Sequence, residues 1–335
     1  ADGARALRTA GEAMKLPAVR LPRLVSPASL HRAGVLGMNQ RNYAYIMRYN
    51  RRADYPDVDD KLRTKQLAIR HHVATAELIG SIRHQYEVRG FRDMIAGVPD
   101  FVIKPGHGSG GRGILVIKRH DGVNFYKPNG EVCSYEFIYE HISNILSGLY
   151  SLGGQVDYAL FERCIDFSDV YSRFSFQGVP DVRLIVFCGY PVMSMIRLAT
   201  RESDGRANLH QGAVGVGLRI RDGRPEFAAS HNKEVTYHPD TGAAFSELVV
   251  PQWEEHLELA ARCAEMTPLG YFGADIATDR RRGPLLLELN ARPGLAIQIA
   301  NGHGLLSRLR LIESLPPGAH ATRAEKIAFA REQFG

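Results

Sequence analysis

The segment PLLLELN, residues 284–290, carries the densest chemistry of this sequence. Side chains alternate along a strand, so Glu288 and Asn290 share one face while Leu287 and Leu289 take the other. Oxygen donors two residues apart destabilise a strand this apolar unless something binds them. A carboxylate beside an amide oxygen is the hard-oxygen set that Mg²⁺ takes, with phosphates supplying further ligands. Asp275 lies on the preceding strand, YFGADIAT (271–278). If residues 278–283 close a hairpin, Asp275 joins Glu288 and Asn290 on one face. The alternative is a strand end whose polar residues meet solvent, and a third donor on the same face weighs against it.

The second group is GHGSGGRG (106–113). That many glycines hold neither helix nor strand, so the segment is a loop. The backbone N–H groups of Gly108, Ser109, Gly110, Gly111 and Gly113 can turn inward and hold phosphate oxygens. A flexible hairpin tip would read the same way. Lys104 sharpens the phosphate reading, because it rises from the buried strand FVIKP (101–105) directly before the loop. A lysine there is expensive unless its ammonium meets an anion. Lys65, on a helix at 57–72, offers a second cation, with a solvated helix face as the alternative.

The third group is arginine. Arg183 follows Asp181 by two on one strand face, Arg197 lies in the partner strand, and Arg206 and Asn208 follow in RESDGRANLHQG. Arg292 sits in NARPG just past the oxygen donors. Arginine forks match carboxylate and phosphate oxygens two at a time. Single surface arginines are commonly just solvated; converging on strands that carry Asp275 and Glu288, these read as a cradle for developing negative charge. Together the groups describe an ATP site, with Mg²⁺ on the three oxygen donors and Glu162 of LFERCI at the strand edge beside an adenine slot.

These residues need elements to hold them. The spacing predicts a helix after Asp57 or Asp59, with Lys61, Lys65 and Ile69 along one side. FVIKP and ILVIKRH (114–120) predict strands joined by the glycine loop, a hairpin and not the strand–loop–helix of a P-loop or dinucleotide fingerprint. Helices are expected over 134–149 and 251–266, and a strand over 158–165. Strands 182–189 and 191–200 are expected to turn at Gly189-Tyr190-Pro191. Thr322 and Glu325 form a capping box before a C-terminal helix. Strands arriving as hairpins between separate helices predict an α+β fold with antiparallel sheets.

Residues 26–56 interleave arginines with Tyr43, Tyr45 and Tyr49. A helix whose aromatic face packs on the core is favoured over nucleic-acid stacking. Residues 1–25 read as a loose arm. At about 150 residues per domain, 335 residues suggest two domains. Hydrophobic residues at 44% and charged residues at 23% are ordinary globular values, so the chain can bury a core without staples. The net charge of +6 fits a polyanion partner or a phosphate-bearing substrate. No apolar run approaches the ~20 residues of a membrane span, so no membrane partner is expected, and no secretory h-region stands at the start. Cys133, Cys164, Cys188 and Cys263 form no C-x-x-C pair, which disfavours a zinc cage or a disulfide framework and favours reduced thiols in a cytoplasmic protein.

The order of FVIKP with its glycine loop, LFERCI, DVR, RANLHQG, GADI and LLLELNARPG resembles the ATP-grasp superfamily over roughly residues 26 to 305. GRANLHQGA and GADIA resemble its RimK-type α-L-glutamate ligases more than its D-alanine ligases, which place an arginine where this chain has Gly273. SPASLHRAGVLGMNQRNYAYIMRYN followed by DDKLRTKQLA resembles the glutamate-ligase-like relatives of that branch. The resemblance implies two α+β lobes clamping ATP under a mobile glycine lid. It implies Lys65 and Lys104 on phosphates and adenine, Glu162 at the adenine hinge and Asp181 near the ribose. Asp275, Glu288 and Asn290 would hold Mg²⁺, two ions, with Mn²⁺ as a substitute. Arg183, Arg197, Arg206, Asn208 and Arg292 would attend the transferring phosphate and the acyl substrate. Relatives carry a Rossmann-like domain ahead of the lysine helix. Fewer than 65 residues precede Lys65 here, so a short atypical extension is expected in its place.

The expected organisation is an N-terminal arm (1–56), a lobe with the glycine lid (57–157), a lobe with the metal and phosphate site (158–312) and a C-terminal helix (313–335). The expected activity is ATP- and Mg²⁺-dependent ligation of a carboxylate to an amine through an acyl phosphate, adding glutamate or another amino acid to a peptide, protein or small acceptor. The alternatives are a kinase acting on a hydroxyl and a non-catalytic nucleotide or nucleic-acid binder.

Overall fold

The structure is a computed structural model and describes residues 25–108 and 110–335. Residues 1–24 of the loose arm expected over 1–25, and Ser109, lie outside the described residues. Strands run in chain order as β1 (Leu78–Ile82), β2 (Phe101–Pro105), β3 (Leu115–Ile117), β4 (Arg119–His120), β5 (Phe125–Tyr126), β6 (Val132–Cys133) and β7 (Ala159–Glu162). There follow β8 (Asp181–Phe187), β9 (Tyr190–Leu198), β10 (Val214–Leu218), β11 (Pro225–Ser230), β12 (Lys233–Glu234), β13 (Tyr271–Asp279) and β14 (Gly283–Asn290). They build one sheet of order β1-β7-β2-β3, a second of order β12-β11-β10-β9-β8-β13-β14, and a small third, β4-β5-β6. Every pairing between these strands is antiparallel. The architecture is α+β, as the hairpin pattern predicts.

The first sheet packs Ile103, Phe101 and Phe161 against Ile138, Ile142 and Ile145 of the helix Tyr135–Leu146. Ser134 caps that helix by accepting from the Phe137 N–H. β7 pairs with both β1 and β2, so the boundary expected at 157/158 falls inside this sheet. The second sheet has a larger core. Leu184, Val186, Ile196 and Phe272 pack with Leu257 and Cys263 of the helix Trp253–Met266. The helix Arg323–Gln333 starts on the expected capping box of Thr322 and Glu325.

Several boundaries differ from expectation for local reasons. The strand over 114–120 breaks in two, because β3 pairs with β2 while β4 leaves for the third sheet. The hairpin between β8 and β9 turns at Cys188-Gly189, both in the left-handed region (φ 50 and 84), which frees Tyr190 for the strand. Two residues with positive φ match the twist of the flanking strands. The helix expected from Pro251 begins at Trp253, because Gln252 stands at φ 52.

Residues 26–56 pack their aromatic face on the core, except for Tyr43. Tyr45 meets Phe187 edge-on at 5.6 Å between centroids, and Tyr49 does so at 4.7 Å, whereas Tyr43 is exposed. Asn50 bolts this segment to the second sheet through the Tyr271 N–H, the Tyr271 carbonyl and the Ala291 carbonyl. The four cysteines are unpaired thiols. Among the described residues no helix is long and apolar enough to cross a membrane.

Candidate functional site

The hairpin of β13 and β14 brings its oxygen donors together. Asp275 stands directly opposite Glu288, and Gly273 opposite Asn290. A bulge between Asp275 and Ile276 shifts the register by one, so that Ile276 faces Leu286. Without it, the residues nearer the turn would keep the parity of Glu288. The bulge lets both halves of β14 bury leucine while Glu288 stays on the face of Asp275.

Both oxygens of Asp275 are engaged by arginine. Arg183, opposite it on β8, donates from Nε at 2.7 Å and Nη2 at 2.5 Å, and Arg197 of β9 donates at 2.7 Å. Arg197 also grips both oxygens of Asp181. Burial pushes the Asp275 carboxyl up, but Arg183 and Arg197 outweigh it and hold the group well below the usual carboxylate range. Glu288 is the opposite case. It accepts no hydrogen bond and makes no ion pair among the described residues, and burial, followed by the charge of Asp275, raises its pKa. A partly buried carboxylate facing a second carboxylate, with an amide oxygen two residues on, is a donor set that fits a divalent cation. Asn290 accepts from the Arg292 N–H at 2.9 Å through its side-chain oxygen.

A second cluster sits at the edge of the first sheet. Glu162, the last residue of β7, takes Lys65 on one oxygen and Lys104 on the other, both at 2.6 Å. Lys65 also donates to the Thr75 hydroxyl at 2.7 Å and to the Ala76 carbonyl at 2.6 Å, so its three N–H groups are used. Burial pushes the Glu162 carboxyl up, yet the two lysines prevail and keep it low. Thr75 in turn donates to the Leu286 carbonyl at 3.0 Å, and Thr75 and Leu286 form a bridge. The lysine cluster and the carboxylate hairpin are thereby tied through β14.

The glycine loop is pinned at its root and open at its tip. A Cβ on Gly106 would lie 2.2 Å from the Tyr158 ring, and one on Gly113 would lie 2.5 Å from Tyr150, whereas Gly110 and Gly111 have open space around them. His107 donates its N–H to buried Asp157 and places Nδ1 2.8 Å from the same carboxylate. Gly108 forms a bridge with Ser151.

Lys61 was not singled out for this site by its sequence context. Its Nζ donates to the Gly108 carbonyl at 2.5 Å. Burial lowers its pKa, and Glu288 is its strongest opposing charge. Lys61, under the loop and in the field of Glu288, connects the lid to the carboxylates; Lys65 does not. The only signal for it is the pair Asp60-Lys61. Asp60, and not Asp57 or Asp59, caps the helix Lys61–Arg70 by accepting from the Arg63 N–H, which sets Lys61 at the first helical position.

The other expected site residues make no hydrogen bond or ion pair to Asp275 or Glu288 among the described residues, although Asp181 shares Arg197 with Asp275. Arg292 is bound to Asp59, with its guanidinium over the Tyr55 ring, because NARPG turns away after Asn290. Asn208 caps a short turn by accepting from the His210 N–H, and Arg206 is exposed with no ion pair among the described residues. Asp181, expected near a ribose, has both oxygens on Arg197. Of the expected arginines, Arg183 and Arg197 are the two that contact Asp275.

The family model described as sugar-transfer associated ATP-grasp matches residues 40–314. A curated relative from Aeromonas salmonicida (strain A449), described as a probable alpha-L-glutamate ligase, is 23% identical over 256 residues, covering 75% of this chain and 62% of its own length. The chain thus spans about three fifths of that relative. Among solved structures, the ATP-grasp ligase PsnB complexed with minimal precursor aligns at TM-score 0.43 and 15% identity, over 84% of this chain and 62% of that one. The biotin carboxylase domain of Hydrogenobacter thermophilus 2-oxoglutarate carboxylase, with MgADP, ADP and bicarbonate, aligns at 0.43 and 15%, over 77% and 46%.

Proposed function

This chain belongs to the sugar-transfer associated ATP-grasp family, and from that membership we propose that it is an ATP- and Mg²⁺-dependent ligase joining a carboxylate to an amine. The observation that carries the reading is the Asp275–Glu288 pair with Asn290 on one strand face, next to arginines and beneath the lysine-bound glycine loop. The relative described as a probable glutamate ligase supports an amino acid such as glutamate as one substrate. The acceptor is a peptide, protein tail or small metabolite.

In this reading Asp275, Glu288 and Asn290 would hold Mg²⁺, whose positive charge would offset the negative charge of the phosphates. Lys61 and Lys104 attend the phosphates, together with backbone N–H groups of Gly108, Gly110, Gly111 and Gly113. Lys65 keeps Glu162 ionised and in place beside the adenine slot. Arg183 and Arg197 balance Asp275 and Asp181 before loading, and they are placed to stabilise charge that develops on the equatorial oxygens during transfer to the carboxylate. The amine then displaces phosphate from the acyl phosphate, and closure of the glycine loop excludes the water that would hydrolyse it.

The test is ADP release by the full chain on a pool of carboxylates and amines, with product masses read in parallel. A mass equal to both substrates less water marks a ligase; a carboxylate-independent gain of phosphate alone marks a kinase and overturns the proposal. Glu288→Ala is expected to lower turnover at least about a hundredfold while leaving the fold intact. Unchanged turnover removes the metal assignment.

A further inference from the structure

We propose that the helical run over residues 38–49, with the arginines that follow it, is a docking surface for an anionic lipid bilayer. The run consists of Met38–Gln40, a π-helical turn over Arg41–Ile46, and Met47–Tyr49. Its inner face is fixed by Tyr45, Ile46 and Tyr49 on the core and by Asn50 on Tyr271 and Ala291. Its outer face presents Met38 at 65% exposure, Tyr43 at 77% and Met47 at 65%. These three are spaced five and four residues apart. The wide π turn takes up the extra residue, so all three stay on the side opposite Tyr45 and Tyr49. π turns are rare and collect at functional sites. Three large apolar side chains in one exposed row are not the scattered single hydrophobics of an ordinary surface.

Charge identifies the occupant. Residues 25–56 contain five arginines and a single acid, Asp54, which is ion-paired to Arg51 at 2.9 Å. Residues 1–56 hold ten of the 42 Lys and Arg but three of the 36 acids, so the remaining chain is close to neutral. Arg32, Arg48, Arg51 and Arg52 are exposed. Arg48 is paired with Glu313, and Arg52 makes no ion pair among the described residues. Basic residues flanking methionine and tyrosine match an anionic interface, where arginine meets headgroups while apolar side chains enter the acyl boundary. Nucleic acid would stack on the one exposed tyrosine and leave both methionines in water. The run also abuts the site, since Arg41 donates to the Pro293 carbonyl just past Asn290. A docked chain would keep that end of the cleft near the bilayer surface.

The proposal is independent of the ligase reading and is tested on the full chain by co-sedimentation with phosphatidylcholine vesicles, with and without phosphatidylserine. The expected result is pelleting with the serine-containing vesicles alone, weakening as salt is raised. The triple variant Met38→Ser, Tyr43→Ser, Met47→Ser should lose at least about tenfold in partition while its melting curve and ATP turnover stay unchanged. Arg52→Ala, a milder second variant, should lose roughly fivefold, the worth of one basic residue at such a surface. Absence of pelleting, equal recovery of the parent chain and the triple variant, or retention on single-stranded RNA but not on vesicles overturns the proposal.

Discussion

Lys61 and Lys65 sit one turn apart on the same helix and differ in what surrounds them. Lys65 has Glu162, Thr75 and the Ala76 carbonyl, and Lys61 has a loop carbonyl and the field of Glu288. Lys65→Ala should therefore destabilise the fold by about 3 kcal/mol, the lower end for a broken buried pair because Lys104 still faces Glu162. Lys61→Ala should leave the denaturant midpoint nearly unchanged and weaken nucleotide binding at least about tenfold. Calorimetric titration beside a denaturation curve separates the two. A four-residue spacing shows that both lysines lie on one helix face, but it carries no information on which one meets a carboxylate of its own sheet. His256 offers a second residue-scale test. Burial lowers its pKa to about 4, with Nε2 3.2 Å from the Thr278 hydroxyl. A base depressed in the folded state binds fewer protons than the unfolded chain, so stability falls as pH drops from about 6.5 toward about 4. Between pH 7 and 5 the parent chain should lose about 2 kcal/mol more than His256→Gln in urea denaturation.

The glycine loop shows why glycine is needed at different places for different reasons. Gly106 has no room for a Cβ under the Tyr158 ring, whereas Gly110 has room but stands at φ 65. Gly106→Ala should cost about 2 kcal/mol of stability through overpacking. Gly110→Ala should cost about 1 kcal/mol or less and act mainly on the lid, raising the KM for ATP. Thermal melts and initial rates on both variants check this. Hairpins were legible in the sequence because apolar runs and glycine-bearing turns mark them. Their exact turn residues were less so: Cys188 takes a left-handed conformation that favours glycine or asparagine, which composition does not announce.

Over the whole molecule, two main cores hold the two larger sheets, and the candidate site lies where they join. The Leu286 N–H donates to the Ala74 carbonyl at 2.8 Å, and Thr75 bridges β14 to Lys65. A ligand that binds both sides stabilises the folded chain through mass action. ATP with Mg²⁺ at a hundred times its Kd should add about 2.7 kcal/mol and raise Tm by several degrees. ATP alone should add less, and Glu288→Gln should abolish the increment due to the metal. Differential scanning calorimetry reads all three.

The sequence by itself determined the two-carboxylate hairpin, the glycine loop and the α+β class. Each of these rests on local rules: strand alternation, glycine's backbone freedom and helix periodicity act within a dozen residues. Tertiary structure decided the rest. It chose Asp60 as the cap, gave Lys65 to Glu162, brought Lys61 under the loop, and drew Arg292 away to Asp59. It also added β7 to the first sheet and set Tyr43 outward while Tyr45 packs inward. The lysine and arginine outcomes depend on which charge a long flexible side chain reaches first, and the strand pairing and the buried tyrosine on what packs against them. That is fixed by strands and helices distant in the chain, and no local pattern records it.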